Sequence, residues 1–160
     1  MNTLINREDY IQKLEKLKDK HIIKVVTGLR RSGKSTLLEI FATNIIQSGV
    51  PINRIQQYNF EKPVFPLHFS WFDIYKEILA KTGKESMNYI FLDEPQWIPE
   101  FERLIDALYV EKFIDLYITG SNAYFLSGDL ATLLSGRYIT VHILPFSFKE
   151  YMVSQHNTTL

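Results

Sequence analysis

The sequence contains no cysteine. Structural disulfides, thiolate nucleophiles and cysteine-based zinc sites are therefore excluded. No apolar run approaches the roughly 20 residues that a membrane-spanning helix needs. The stretch from Met1 to Tyr10 lacks the basic-then-apolar layout of a secretory signal. Neither sign of charge is in excess, with 18 basic against 18 acidic residues. The strongly basic balance of a dedicated nucleic-acid coat protein is thus missing, and nucleic acid is not an expected partner of this chain. No repeat of fixed period and no low-complexity linker occurs. The four histidines, His21, His68, His142 and His156, fall at no metal-ligand spacing, and His142 reads as a structural residue within a strand. These absences leave a soluble, cytoplasmic domain with no membrane association. Its 160 residues, 46% of them hydrophobic, suffice to bury roughly 70% of the unfolded surface without a staple.

What is present is an alternation. Residues 7–19 carry Tyr10, Leu14 and Leu17 at helical spacing, with Glu8 and Asp9 in the first turn and Lys18 and Lys20 at the end, as the helix dipole favours. Ile22–Thr27 is a β-branched apolar run and reads as a strand. Leu38, Phe41 and Ile45 mark a helix over 34–47, stopped by Gly49 and Pro51. Strands follow at Arg54–Phe60, Met87–Leu92, Ile114–Thr119 and Tyr138–Leu144. Helices lie between them, one around Trp71, Ile74, Tyr75 and Ile78, closed by Gly83, and one around Phe101, Leu104, Ile105 and Leu108. The aromatic residues between Tyr58 and Tyr75 read as packing. Strands alternating with helices predict an α/β fold with a parallel sheet covered on both faces, and three of the strands are apolar throughout, as central parallel strands are.

The sharpest motif is Gly28-Leu29-Arg30-Arg31-Ser32-Gly33-Lys34-Ser35, which matches G-x-x-x-x-G-K-[ST] without a mismatch. Glycines let the backbone curl so that successive N–H groups face phosphate oxygens. Lys34 reaches for the β- and γ-phosphates, and the Ser35 hydroxyl is a ligand for Mg²⁺. The motif follows a predicted strand and opens a predicted helix, whose N-terminus attracts anions. From Lys20 to Leu38 there are five basic residues and no acidic one. The expected nucleotide contacts run from Gly28 through Thr36. Within them Arg30 and Arg31 occupy variable positions that touch phosphate, a partner or only water.

A second motif is Tyr89-Ile90-Phe91-Leu92-Asp93-Glu94, an apolar strand ending in two carboxylates. An acid at that position holds Mg²⁺, usually through its waters, and the next acid polarises the attacking water. Read alone, such a pair is also an ordinary polar strand cap. A third is Tyr117-Ile118-Thr119-Gly120-Ser121-Asn122, which is either a γ-phosphate sensor that helps place the water or a turn-forming Gly-Ser-Asn cluster. A fourth is Leu134-Ser135-Gly136-Arg137-Tyr138. Arg137 is either a finger that neutralises transition-state charge, in its own site or a neighbour's, or a solvated arginine at a strand edge. Asp93 is followed by Glu-Pro-Gln rather than by the Asp-x-x-Gly of GTPases, and no Asn-Lys-x-Asp occurs, so ATP is the expected nucleotide.

In this order and spacing the motifs resemble the AAA+ superfamily of P-loop ATPases, and more closely the prokaryotic AAA-family ATP-binding proteins. The resemblance covers about Arg7 to Tyr151. It implies a three-layer P-loop NTPase fold with a five-stranded parallel sheet, and Mg-dependent ATP hydrolysis by a motor or switch domain. It implies catalytic roles for Glu94, Lys34, Asn122 (the sensor-1 position) and Arg137, with Ser35 and Asp93 on the metal. It also implies a homo-oligomer if Arg137 acts across a subunit boundary. Asn59 resembles the polar switch residue that holds the catalytic glutamate inactive, though a strand-end polar residue is the plainer reading. Pro95 departs from the family pattern and restricts Glu94 away from helical geometry. The ATPase core is expected over 1–153, with 154–160 a frayed tail or the start of a C-terminal lid and accessory domain that binds the true partner. Without such a lid, hydrolysis is expected to be slow. Two other functions stay open on the residues alone: a regulatory module that binds nucleotide with negligible turnover, and a P-loop domain that contacts nucleic acid. Glu94 favours hydrolysis over the first, and the neutral charge argues against the second.

Overall fold

A computed structural model describes residues 7–62, 69–121, 128–147, 150 and 152. The strands are β1 (Ile23–Gly28), β2 (Ile55–Asn59), β3 (Asn88–Asp93), β4 (Ile114–Gly120) and β5 (Tyr138–Ile143). The helices are α1 (Glu8–Leu17), α2 (Lys34–Gln47), α3 (Trp71–Lys81), α4 (Phe101–Val110) and α5 (Gly128–Leu133). The spacing of apolar residues anticipated the strands and the first four helices. The short α5 and the single 3-10 turns at Ile52–Arg54 and Pro95–Trp97 are too brief to leave a periodicity.

All five strands are parallel, in the order β2-β3-β4-β1-β5. The three central strands, β1, β3 and β4, are buried along their whole length, which is why they are apolar on both faces rather than alternating. The edge strands β2 and β5 are only partly buried. The period-2 alternation splits the core into two layers. Tyr89, Phe91, Tyr117 and Val26 pack under α1 and α2 with Leu14, Leu37, Phe41 and Ile45. Ile90, Leu92, Leu116 and Ile118 pack under α3, α4 and α5 with Ile74, Ile78, Leu104, Leu108 and Leu130. The result is the three-layer α/β sandwich expected from the sequence.

The register determines what meets at the top of the sheet. Gly28 pairs with Ile143, Thr27 with Gly120, and Asn59 with Asp93. The C-terminal ends of all five strands therefore share one edge, where open α/β sheets hold their ligands.

The opposite end holds a buried ionic network. Lys24 and Asp115 form an ion pair with both side chains essentially inaccessible. The Lys24 ammonium also donates to the carbonyl of Lys20 at 2.7 Å, while Asp115 accepts from the Tyr117 hydroxyl at 2.8 Å and the Asp19 N–H at 2.9 Å. Burial, opposed by the pairing, lowers the pKa of Lys24 and raises that of Asp115. Lys24 was counted above among the cations around the glycine-rich loop. The structure corrects this: it lies at the start of β1, neutralised by Asp115, and Lys20 lies at that same end.

Candidate functional site

Between β1 and α2 the chain turns through Gly28–Gly33 (below, the loop). A Cβ on Gly28 would stand 2.6 Å from the Ile143 carbonyl oxygen and 2.8 Å from the Ser32 hydroxyl, so only glycine fits where β1 passes β5 into the loop. Gly33 has φ of 90°, in the left-handed region where a side chain is strained. Arg31 is also left-handed, at φ 63°. The Lys34 side chain folds back over the loop and donates to the carbonyls of Gly28 at 3.2 Å and Leu29 at 2.9 Å. No acidic residue lies in the first turn of α2, so its positive dipole end is uncompensated there.

A cavity of about 680 Å³ opens above this loop, lined by Arg30, Arg31, Gly33, Lys34, Ser35 and Thr36. Glu94 and Ser121, from the ends of β3 and β4, line its other side. A smaller neighbouring pocket of about 170 Å³ has Ser35 and Asp93 in its lining, with Asn59. The first predicted metal ligand thus adjoins the second, two strands away in sequence. Of the other loop residues, Leu29 is 64% exposed, and Ser32 is buried with a hydroxyl that finds no partner among the described residues. Arg30 makes an exposed ion pair with Glu61 at 3.3 Å.

The Asp93 carboxylate and the backbone of Glu94 are tied together by a residue that the motifs do not mark. The Thr119 hydroxyl, wholly buried near the end of β4, donates to Asp93 Oδ1 at 2.5 Å and accepts the Glu94 N–H at 3.0 Å. The only sequence signal for it was its place in the Thr-Gly-Ser-Asn strand end, where Asn122 drew the attention. Asn122 itself lies outside the described residues. Glu94 adopts φ 54° and ψ 52°. Pro95 does keep it out of the right-handed helical region, but the residue is left-handed rather than extended, a conformation that costs of order 1–3 kcal/mol outside glycine. The Thr119 bond to its N–H helps hold that turn.

Glu94 Oε2 accepts a hydrogen bond from the Gln96 side-chain amide, and Gln96 Oε1 is buried without a partner among the described residues. Asn59, by contrast, accepts the Glu61 N–H at 3.0 Å with its side-chain oxygen. In this structure the group on Glu94 is Gln96, two residues along the chain.

Arg137 is not brought to this site. It precedes β5, six residues before Ile143, and at about 3.3 Å per residue this puts it roughly 20 Å from the loop, at the far end of the sheet. There it pairs with Asp106 and lies over the Tyr109 ring at 5.6 Å. Action on the site of its own chain is excluded by that geometry, which leaves the two other readings, an arginine at a strand edge, here half exposed and paired with Asp106, and one that acts across a subunit boundary.

A residue with no sequence signal completes the site. The Arg7 guanidinium donates to the Ser32 carbonyl at 2.9 Å, the Leu144 carbonyl at 2.6 Å and Glu150 Oε1 at 3.0 Å.

Comparison with known proteins places the chain in a family and its fold among solved structures. Residues 20–152 match the AAA domain family. A protein of Haemophilus influenzae described as uncharacterized is 39% identical over 154 residues, covering 93% of this chain and 38% of its own length. One of Methanocaldococcus jannaschii, also described as uncharacterized, is 30% identical over 131 residues, covering 81% of this chain and 28% of its own. The chain thus spans well under half the length of these relatives. Among solved structures, a DNA polymerase III gamma subunit-related protein from Thermotoga maritima superposes with a TM-score of 0.62 at 11% identity, over 89% of this chain and 48% of that one. Hsp104 in its closed state with ATPγS and FITC casein superposes with a TM-score of 0.67 at 17% identity, over 96% of this chain and 29% of that one. At such identities the likeness is one of fold. Among the described residues no helix is long and apolar enough to cross a membrane. With its motif loop, its parallel sheet and a family match over most of its length, the chain belongs to the AAA domain family and is a nucleotide-binding domain of the ATPase type.

Proposed function

We propose that this domain binds ATP with Mg²⁺ in the cavity over Gly28–Thr36 and hydrolyses it with Glu94 as general base. The observation that carries the reading is the Thr119 hydroxyl joining Asp93 and Glu94 at the mouth of the loop. A simple strand cap does not need one buried hydroxyl to hold both the Asp93 carboxylate and the backbone N–H of Glu94 beside a lysine-bearing loop.

The donor set fits the ion. Ser35 and Asp93 supply hard oxygens to one small pocket, and Mg²⁺ binds through one or two protein oxygens plus phosphates and waters. Among the described residues no cluster of three metal-binding side chains exists, and this mode requires none. Ser35 and Asp93 are the residues that would hold the ion, which would supply positive charge to offset that of the phosphates. The chain's own groups do the rest. The α2 N-terminus and the loop N–H groups hold the phosphates. Lys34 exchanges the carbonyls of Gly28 and Leu29 for phosphate oxygens. Glu94 accepts a proton from the attacking water, and its backbone turn sets where that carboxylate stands.

The Gln96 bond to Glu94 favours a second reading, a nucleotide-binding switch with turnover held low, because it engages the carboxylate that must accept the proton. Titration of the purified chain with a fluorescent ATP analogue, together with phosphate release, tests both. Lys34→Ala is expected to lose most nucleotide binding. Glu94→Gln is expected to keep binding and to lose about 10²–10⁴-fold in turnover, and Asp93→Asn to weaken Mg-dependent binding. Equal, mild defects in both carboxylate variants would reduce the pair to strand caps. Parent turnover no faster than that of Glu94→Gln would favour the switch. ATP is expected to compete better than GTP.

A further inference from the structure

The α1 end of the chain reaches the loop through one side chain. Arg7 immediately precedes α1, and only 5% of its side chain is exposed. Its three hydrogen bonds run to three different places: Ser32 inside the loop, Leu144 just past β5, and Glu150 beyond. The ring of Tyr10 lies 4.8 Å from its guanidinium carbon and that of Phe146 5.4 Å. The Leu144 N–H in turn donates to the Tyr10 hydroxyl at 3.3 Å. Both backbone groups of Leu144 are thus held by the start of α1. Glu150 is fastened as well, accepting the Ser147 N–H at 2.6 Å. Arg7 lies outside the residues 20–152 that match the family, so the family motifs do not account for it.

Peptide geometry makes the Ser32 contact consequential. The C=O and N–H of one trans peptide point in opposite directions. Holding the Ser32 carbonyl against Arg7 therefore aims the Gly33 N–H the other way, and Gly33 lines the main cavity, as does Phe146. An arginine fork is suited to this because its donors are rigidly spaced, so moving one acceptor displaces the others.

We propose that Arg7 is a positioning residue for the nucleotide site: it sets the loop peptide between Ser32 and Gly33 and couples that peptide to the segment just past β5, at residues 144–147, and to Glu150. Nucleotide affinity is then sensitive to whatever holds or displaces that segment. The proposal rests on the nucleotide-binding reading above.

The test is titration of the full chain with a fluorescent ATP analogue and the matching ADP analogue in the presence of Mg²⁺. It is run well below the unfolding temperature of each variant, with circular dichroism to verify folding. Arg7→Ala is expected to weaken binding by roughly 10-fold or more, since charge-assisted bonds are worth about 1.5–3 kcal/mol. Glu150→Gln leaves both carbonyl bonds in place and is expected to weaken binding by about threefold. The double variant is expected to bind no more weakly than Arg7→Ala, because Glu150 acts through Arg7. Should Arg7→Ala fail to fold, Arg7→Lys keeps the charge without the fork and is expected to show the same weakening of roughly 10-fold. A merely structural role predicts a lower unfolding temperature with unchanged affinity in the folded protein. Folded Arg7 variants binding within about twofold of the parent, or a double variant losing the product of the two single effects, would overturn the proposal. A parent that binds no nucleotide, or binding that survives Lys34→Ala, would instead sink the underlying reading.

Discussion

Thr119→Val isolates the hydroxyl at the centre of the site while keeping the β-branched shape that its strand position favours. The residue is fully buried, and Asp93 is 9% exposed, so water does not readily replace what is lost. Two bonds disappear together: the one to the Asp93 carboxylate at 2.5 Å and the one from the Glu94 N–H at 3.0 Å. The first is charge-assisted, worth about 1.5–3 kcal/mol, and an orphaned buried N–H costs about 1–3 kcal/mol. The two share one hydroxyl and do not simply add, so a net loss of about 3 kcal/mol is expected. For a domain of this size each kcal/mol lowers Tm by about 2–4 °C, which gives a drop of roughly 6–12 °C. Glu94 also loses the contact that holds its left-handed turn, and turnover is expected to fall about 100-fold, with ATP affinity changing much less. Thr119→Ser restores the hydroxyl and should recover most of both. Differential scanning calorimetry and single-turnover phosphate release measure the two effects. A valine variant that melts within about 2 °C of the parent and turns over normally would refute the hub assignment.

Other substitutions probe other parts of the argument. Gly28→Ala places a methyl 2.6 Å from a backbone oxygen of β5, so the loop must shift; isothermal titration should report markedly weaker ATP binding, and parental affinity would contradict the close approach. Lys24→Met strands Asp115 as a buried unpaired charge and should cost about 3–5 kcal/mol in urea denaturation, whereas Lys24→Met combined with Asp115→Leu should recover much of that loss. Arg137→Ala should leave nucleotide affinity untouched because of its distance from the loop; any loss of turnover should appear only at concentrations where the chain self-associates, as followed by sedimentation, and an affinity loss in the monomer would contradict the geometry.

Local chemistry made much of this domain readable from its residues. The G-x-x-x-x-G-K-[ST] spacing is a backbone requirement written in glycines, and the largely apolar runs of β1, β3 and β4, interrupted by the paired Lys24 and Asp115, follow from burial on both faces. The helix over 34–47 was bounded to the residue because glycines and a proline stop it at both ends. What remained hidden depended on register and on contacts between residues far apart in the chain. Lys24 looked like a phosphate-side cation until the sheet set it against Asp115, 91 residues away. Gln96 carried no signal as a partner of Glu94 until the left-handed turn before Pro95 brought its amide to that carboxylate. Thr119 became the hub because parallel pairing of β3 with β4 sets its hydroxyl beside Asp93. Arg7 reached Ser32 across 25 residues and Leu144 across 137. Composition and periodicity record which surfaces are buried and where the backbone must bend. Which side chain meets which carbonyl across the sheet is decided only when the strands take their register and the helices close over them.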